Sequence, residues 1–269
     1  MIDVTVVGSL HLDIMVRAPR LPGRDETLIG SSWHYKCGGK GGNQAVAAAR
    51  FGARVAFGGQ TGEDDFGERL RANLVAAGVD IKHVGIDPSH GSGMSVAISE
   101  ETGEYGAVVV SGANLTIDPA AIEDRWSDLW NTRLILLQNE IPEAVSLRAA
   151  ELARARAART VLNAAPARLM SPGLLELIDV LIVNRVEATM LSGEEDPFRA
   201  LGALHATTRD VVLTRGGEGL ILMTRNGTSH HIPALPVRLR SSHGAGDCFC
   251  GALAARLAAG DAFLEACHF

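Results

Sequence analysis

The chain has 269 residues, with 25 Lys and Arg against 31 Asp and Glu and a formal net charge of −6. That acidic balance argues against nucleic acid or an anionic membrane surface as a partner, and no apolar run approaches the length of a membrane span. Hydrophobic residues make up 46% but aromatics only 4%, so the core must be built from Ala, Val, Leu and Ile, which points to an α/β enzyme and away from an all-β sandwich.

In chain order, Met1 to Gly8 is too short and too β-branched for a signal peptide, and Val4 to Val7 is a buried strand. A strand at Asp13–Val16 follows, then Pro19, Pro22 and Gly23 break the chain, and Glu26 to Tyr35 is a further strand. A glycine cluster opens an Ala-rich helix from Asn43 to Phe51; Val55 to Gly59 is a strand, and Phe66 to Ala77 an amphipathic helix stopped by Gly78. Met94–Ile98 and Tyr105–Val110 are strands around a hairpin turn at Glu100–Gly103. Strands at Leu134–Leu137, Thr160–Leu162, Val180–Val183 and Val211–Leu213 then alternate with helices, beginning with Ala144–Ala158 and closing with Asp247–Ala259. The alternation predicts a mostly parallel central sheet with helices on both faces. The early segments, roughly 13–37 and 94–112, fall outside it and suit a small β-sheet lid on one main domain spanning 1–269. The four cysteines, Cys37, Cys248, Cys250 and Cys267, have no zinc-like spacing, so free thiols in a soluble, cytoplasmic protein are expected.

Two loops can carry chemistry. Ser242-His-Gly-Ala-Gly-Asp-Cys-Phe249 runs straight into a helix. Gly244 and Gly246 allow a tight turn, and the free N–H groups of the helix start favour an anion. A carboxylate there, Asp247, makes sense if an acceptor hydroxyl lies between it and a phosphate; taken alone, Asp247 reads first as a helix cap. The second loop, Cys37-Gly-Gly-Lys-Gly-Gly-Asn43, also opens a helix but is neither a Walker A loop nor a dinucleotide fingerprint. Its glycines and Lys40 can line a polar pocket in which Asn43 bonds hydroxyls; taken alone, a flexible loop with Asn43 as helix N-cap fits equally.

Together these loops resemble the two signatures of the ribokinase-like (PfkB) carbohydrate kinases. Six further segments fall in that family's order: Gly8-Ser-Leu-His-Leu-Asp13, Gly62-Glu-Asp-Asp-Phe-Gly67, Gln138-Asn-Glu140, Asn163-Ala-Ala-Pro166, Asn184-Arg-Val-Glu187 and Thr214-Arg-Gly-Gly-Glu-Gly219. The resemblance implies ATP-dependent phosphoryl transfer to a sugar hydroxyl, a pentose such as ribose being favoured. It implies Asp247 as the catalytic base and Gly244, Ala245 and Gly246 as the anion hole. It places His11, Asp13, Gly39, Lys40, Asn43 and Glu140 at the sugar. It places Asn184, Glu187, Thr214, Gly216 and Gly219 at the nucleotide, with Glu187 organising Mg²⁺ through water. ATP and the sugar are the expected partners, with a homodimer through the lid as an assembly option.

Three positions depart from the family pattern. His11 stands where an Asn is common, which opens the substrate to other pentoses, a hexose or a nucleoside. Ser241-Ser242-His243 replaces Asp-Thr-Thr, so a K⁺ requirement is left open. The sequence ends at Phe269, where the family continues through a helix and loop beside the adenine, so weakened ATP binding is expected. Two alternatives follow: a nucleoside kinase, with Trp33 and Tyr35 available to stack on a base although packing within the lid or a dimer is preferred for them, and a sugar-binding protein without catalysis.

Overall fold

The computed structural model describes residues 1–100, 105–238 and 244–269. Its strands are β1 Ile2–Val7, β2 His11–Arg17, β3 Ser32–Gly38, β4 Val55–Gly62, β5 Asp80–Asp87, β6 Gly93–Ser99, β7 Tyr105–Val110, β8 Thr132–Gln138, β9 Arg159–Asn163, β10 Val180–Asn184, β11 Asp210–Thr214, β12 Leu220–Met223 and β13 Ser229–Ile232. The helices are α1 Lys40–Arg50, α2 Asp65–Ala76, α3 Ile122–Arg125, α4 Glu143–Ala155, α5 Pro172–Leu175, α6 Arg185–Ser192, α7 Pro197–His205, α8 Ala245–Ala259 and α9 Phe263–His268.

Nine strands form one sheet in the order β13-β12-β11-β10-β9-β8-β1-β4-β5. It is parallel from β5 to β11, and β12 and β13 add an antiparallel edge. Both faces are covered, and the period of two along each strand sorts the side chains into two cores. Ile135, Leu137, Leu181, Val183, Val211 and Leu213 join α4, α6 and α7 on one side. Val4, Val6, Leu134, Leu136, Val180 and Ile182 join α1, α2 and α8 on the other. The four remaining strands form a separate sheet in the order β3-β2-β6-β7, in which β2 and β6 are parallel and the outer pairs antiparallel.

Several boundaries differ from the sequence reading. Residues 26–31 lie outside β3; Glu26 instead pairs with Arg20 and accepts from the Gly23 N–H at 2.9 Å, closing a loop that breaks the strand. Helix α1 begins at Lys40, three residues early, with Gly41 and Gly42 inside it. Those glycines serve close packing: a Cβ on Gly41 would lie 2.6 Å from the Ser9 nitrogen, and one on Gly42 2.8 Å from Leu10 Cδ2. Strand β5 was not read because it is a polar edge strand, DIKHVGID. The turn expected at Glu100–Gly103 falls largely on residues outside the described ones.

Helices α1 and α8 lie side by side on the same core, and Gly251 is where they come nearest. A Cβ there would sit 2.5 Å from Ala47 Cβ and 2.6 Å from the Gln44 carbonyl oxygen. Adding even one methyl must push the helices apart. Gly251→Ala is expected to lower stability by about 1–3 kcal/mol, read from the urea midpoint; a midpoint equal to that of the parent protein would show that α8 can slide without cost.

Candidate active site

The candidate residues gather at the carboxyl ends of the parallel strands, where open α/β sheets bind ligands. Gln138 ends β8, Asn163 ends β9, Asn184 ends β10 and Thr214 ends β11. Three cavities adjoin there. The first, 210 Å³, is lined by His11, Asp13, Gly39, Lys40, Asn43, Ser95, Glu140 and Asp247 among others. The second, 130 Å³, shares Lys40 and Asp247 with it and adds Asn184, Glu187, Thr214, Gly244 and Gly246. The third, 510 Å³, shares Thr214 and Gly246 with the second and is mainly apolar, with Leu220, Leu235, Phe249 and Cys267. Lys40 and Asp247 therefore stand at the junction of a polar chamber and a narrow passage leading to an apolar slot.

Asp247 is the third residue of α8, 8% exposed, and Gly244 before the helix takes a left-handed φ of 83°. Such a turn suits glycine alone. Among the described residues no side chain caps α8, which leaves the N–H groups of its first turn to hold an anion. The Asp247 carboxylate accepts from Asn43 Nδ2 at 3.0 Å on Oδ2 and from Gln44 Nε2 at 3.0 Å on Oδ1. Two amides thus fix its plane. Ser241, Ser242 and His243, expected before the anion hole, lie outside the described residues.

In the polar chamber, Ser95 Oγ donates to Asp13 Oδ1 at 2.6 Å, across the β2–β6 register that pairs these two residues. Glu140 Oε2 accepts from Ser9 Oγ at 2.5 Å and from the Lys40 N–H at 2.8 Å. Gly39 takes φ 82° and its Cα lies hard against Leu10 and His11, since a Cβ would come within 2.7 Å of the His11 nitrogen. His11 is buried. Its Nδ1 faces Glu140 at 3.6 Å and its Nε2 faces the Asn114 amide at 3.4 Å. Both ring nitrogens are turned to protein atoms, so His11 bounds the chamber by shape.

In the narrow passage, Asn184 and Glu187 form a complete capping box at the start of α6. Glu187 Oε2 accepts from the Asn184 N–H at 2.6 Å and Oε1 from Asn184 Nδ2 at 2.8 Å. Burial pushes the Glu187 carboxyl up, while the Asn184 hydrogen bonds and the Lys40 charge pull it back. In the apolar slot, Gly216 and Gly219 both take positive φ; Gly219 also has no room for a side chain, as a Cβ would meet the Ile232 carbonyl at 2.1 Å. Thr214 Oγ1 donates to the Val183 carbonyl at 3.3 Å. Helix α9 supplies Cys267 and His268 to this slot. The sequence reading expected this side to lack the family's further helix and loop; the six-residue α9, too short to show a period, lines part of it.

Trp33 and Tyr35 stay outside all three cavities. They pack edge-on at 5.0 Å, Tyr35 against Phe66 of α2 at 5.8 Å with Arg69 over its ring. Gln44, Gln138 and Ser95 had not been singled out as site residues. Gln44 could have been, because it directly follows Asn43 in a helix whose first turn faces the site; Ser95 could not, because only the strand register brings it to Asp13. A fourth cavity, of 470 Å³, lies at the opposite ends of the strands around Arg159 and Asp210 and shares no residue with these three.

The His11 ring carries a test of this geometry. Burial holds it below its ordinary 6.5, although Glu140 and Asp13 pull the other way. The unfolded chain then binds more protons than the folded one as pH falls below about 6.5, so this group costs stability in acid. Unfolding free energy is expected to drop from pH 7 to pH 5 by up to about 1.4 kcal/mol per pH unit from this source. His11→Asn should lack that component; identical slopes for the two proteins in urea titrations would contradict it.

Comparison with known proteins gives this geometry its family. The family model described as pfkB family carbohydrate kinase matches residues 1–269. The ribokinase of Haemophilus influenzae is 32% identical over 272 residues, covering 99% of this chain and 89% of that one. A deoxyribokinase of Salmonella typhi is 30% identical over 261 residues, covering 94% of this chain and 84% of that one. Among solved structures, the Arabidopsis thaliana ribokinase complexed with ribose and ATP superimposes with a TM-score of 0.92 at 27% identity, covering 98% of this chain and 88% of that one. A chain matched end to end by one family model, with relatives at this identity over nearly their whole length, belongs to the pfkB family of carbohydrate kinases.

Proposed function

We propose that this protein transfers the terminal phosphoryl group of ATP to a hydroxyl of ribose or a closely related pentose, with Asp247 as the general base. The observation that carries the reading is the junction at Lys40 and Asp247. A chamber lined by hydroxyl-binding groups opens there onto a passage bounded by a free helix N-terminus. The sugar occupies the chamber, bonded by Asp13, Asn43, Glu140 and the Gly39–Lys40 segment. The adenosine end occupies the apolar slot beside Gly216 and Gly219, and the phosphates thread the passage towards Asp247.

Asp247 takes the proton from the acceptor hydroxyl as that oxygen attacks phosphorus. Its carboxylate is already turned and held by Asn43 and Gln44, so little reorganisation is needed in the transition state. The N–H groups at Gly244, Ala245 and Gly246 face the charge on the transferred group, and Lys40 adds a positive charge from α1. Mg²⁺, bound with the nucleotide, neutralises phosphate charge. Both oxygens of Glu187 are engaged by Asn184, and no group of three or more His, Cys, Asp or Glu side chains suited to a metal occurs among the described residues. That donor set fits an ion that keeps most of its water, so Glu187 and Asn184 would hold it through water. Nothing among the described residues favours K⁺.

The nucleoside alternative is not supported by stacking residues at the cavities, because Tyr35 packs against Phe66 of α2 and Trp33 against Tyr35. The reading without catalysis has to leave Asp247 beside an uncapped helix N-terminus with no task. The small sheet acts as a lid on a single domain of residues 1–269. Its outer side exposes Trp33, Val108 and Val110, at 61, 69 and 53%, which supports a second copy of the chain as the partner that covers it. No helix of the described residues could cross a membrane and all four cysteines are free, which suits a cytoplasmic setting.

Release of ADP, measured over ribose, 2-deoxyribose, hexoses and nucleosides, should show turnover with a pentose and none once Mg²⁺ is chelated. Asp247→Asn should lose about 10²–10⁴ in kcat with sugar affinity within about threefold. A variant with near-normal kcat would remove Asp247 as the base, and sugar binding without turnover in the parent would favour the binding protein. Sedimentation should give a dimer that Trp33→Asp dissociates; a monomer at micromolar concentration would set the partner aside.

A further inference from the structure

Behind Asp247 lies a second, wholly buried pair of amides. Gln44 and Gln138 are both 0% exposed. Gln138 Nε2 donates to the Leu136 carbonyl at 3.4 Å and to Gln44 Oε1 at 2.9 Å, and Gln44 Nε2 donates to Asp247 Oδ1 at 3.0 Å. The two ends of this chain are acceptors only, a peptide carbonyl and a carboxylate. An amide has two N–H bonds on one side and an oxygen on the other. Turning Gln138 over would set its oxygen against the Leu136 carbonyl; turning Gln44 over would set its oxygen against the Asp247 carboxylate. Only one arrangement satisfies all three contacts: Gln138 donates back to β8 and onward to Gln44, and Gln44 donates to the base.

The arrangement leaves one group without a partner. Gln138 Oε1 is buried and accepts no hydrogen bond from the described residues. It presses on the first loop so closely that a Cβ on Gly8 would lie 2.0 Å from it. A buried, half-satisfied amide destabilises a core that an apolar side chain of the same shape would fill without penalty. Neither glutamine lines any of the three cavities of the site, so neither is there to hold substrate. Their common product is a carboxylate whose Oδ1 is fixed, leaving the base no freedom to rotate away from the acceptor hydroxyl.

We propose that Gln138 and Gln44 act in series as positioning residues for Asp247: Gln138 sets the direction of the Gln44 amide, and Gln44 sets the plane of the carboxylate. The relay rests on Asp247 being the base. A residue with no contact to substrate or base, Gln138, then governs the chemical step.

The test is a double-mutant cycle on the full chain with the best pentose, reading kcat and KM separately together with the melting temperature. Gln44→Met should lower kcat about 10- to 100-fold and Gln138→Met about 10-fold, with the sugar KM within about threefold in both. Because the two act in series, the double variant should match Gln44→Met within about twofold, where independent losses would multiply. Gln138→Asn, which keeps the amide but withdraws it by one methylene, reads the same arm should Gln138→Met fail to fold. The relay is overturned if a folded Gln138 variant keeps kcat within twofold of the parent, if the single losses multiply in the double variant, or if KM rises in place of the fall in kcat. Asp247→Asn in the same series separates the two ideas. If it retains turnover, the base assignment fails; if it is inactive while Gln138→Met is normal, only the relay fails.

Discussion

The close packing of α1 on α8 is the contact from which the rest of the site follows. Asn43 and Asp247 are 204 residues apart in the chain, yet their side chains touch because two helix N-termini are laid side by side. Gly251 permits that approach by offering no side chain where Ala47 and the Gln44 carbonyl come in. The helices are otherwise alanine-rich at the contact, with Ala45, Ala48 and Ala254 fully buried. Small side chains bring the axes close, and closeness sets the first turn of α1, whose N–H groups are bonded to Glu140 and Ser9, beside the uncapped start of α8.

The glycines around Lys40 acquire a definite purpose in this light. As a loop motif they suggest freedom of movement. In the fold, Gly39, Gly41 and Gly42 are pressed on the backbone and side chains of Ser9, Leu10 and His11, so the first turn of α1 is locked to the start of β2. The lock extends through Glu140, which ties the Lys40 N–H and Ser9 Oγ together. Rigidity at this point serves a transfer reaction, in which small displacements of the reacting groups are costly. The polar chamber is thus bounded on one side by a fixed helix start and on the other by the four-stranded sheet carrying Asp13 and Ser95.

Glu187 joins a structural task to a place beside the candidate site. Its capping box with Asn184 secures α6, and the same carboxylate borders the passage between Lys40 and Thr214. With both oxygens already engaged by Asn184, the proposed Mg²⁺ contact of this carboxylate would run through water.

Much of the architecture could be read from residue order. Buried strands such as VTVV and LILL, the Ala-rich segments and the glycine stops have strong local signals, and strand–helix alternation implies a parallel sheet with two covered faces. The residues at both helix N-termini were also legible, because glycine followed by a polar group at a helix start is a local pattern. What lay beyond reach was set by long-range contact. The register of β2 on β6 decides that Ser95 meets Asp13. The end of β8 decides that Gln138 meets Gln44, the packing of Phe66 decides that Tyr35 stays out of the three cavities, and α9 decides which residues line one part of the apolar slot. Local preference determines which elements form; only the burial of their faces against one another determines which side chains become neighbours.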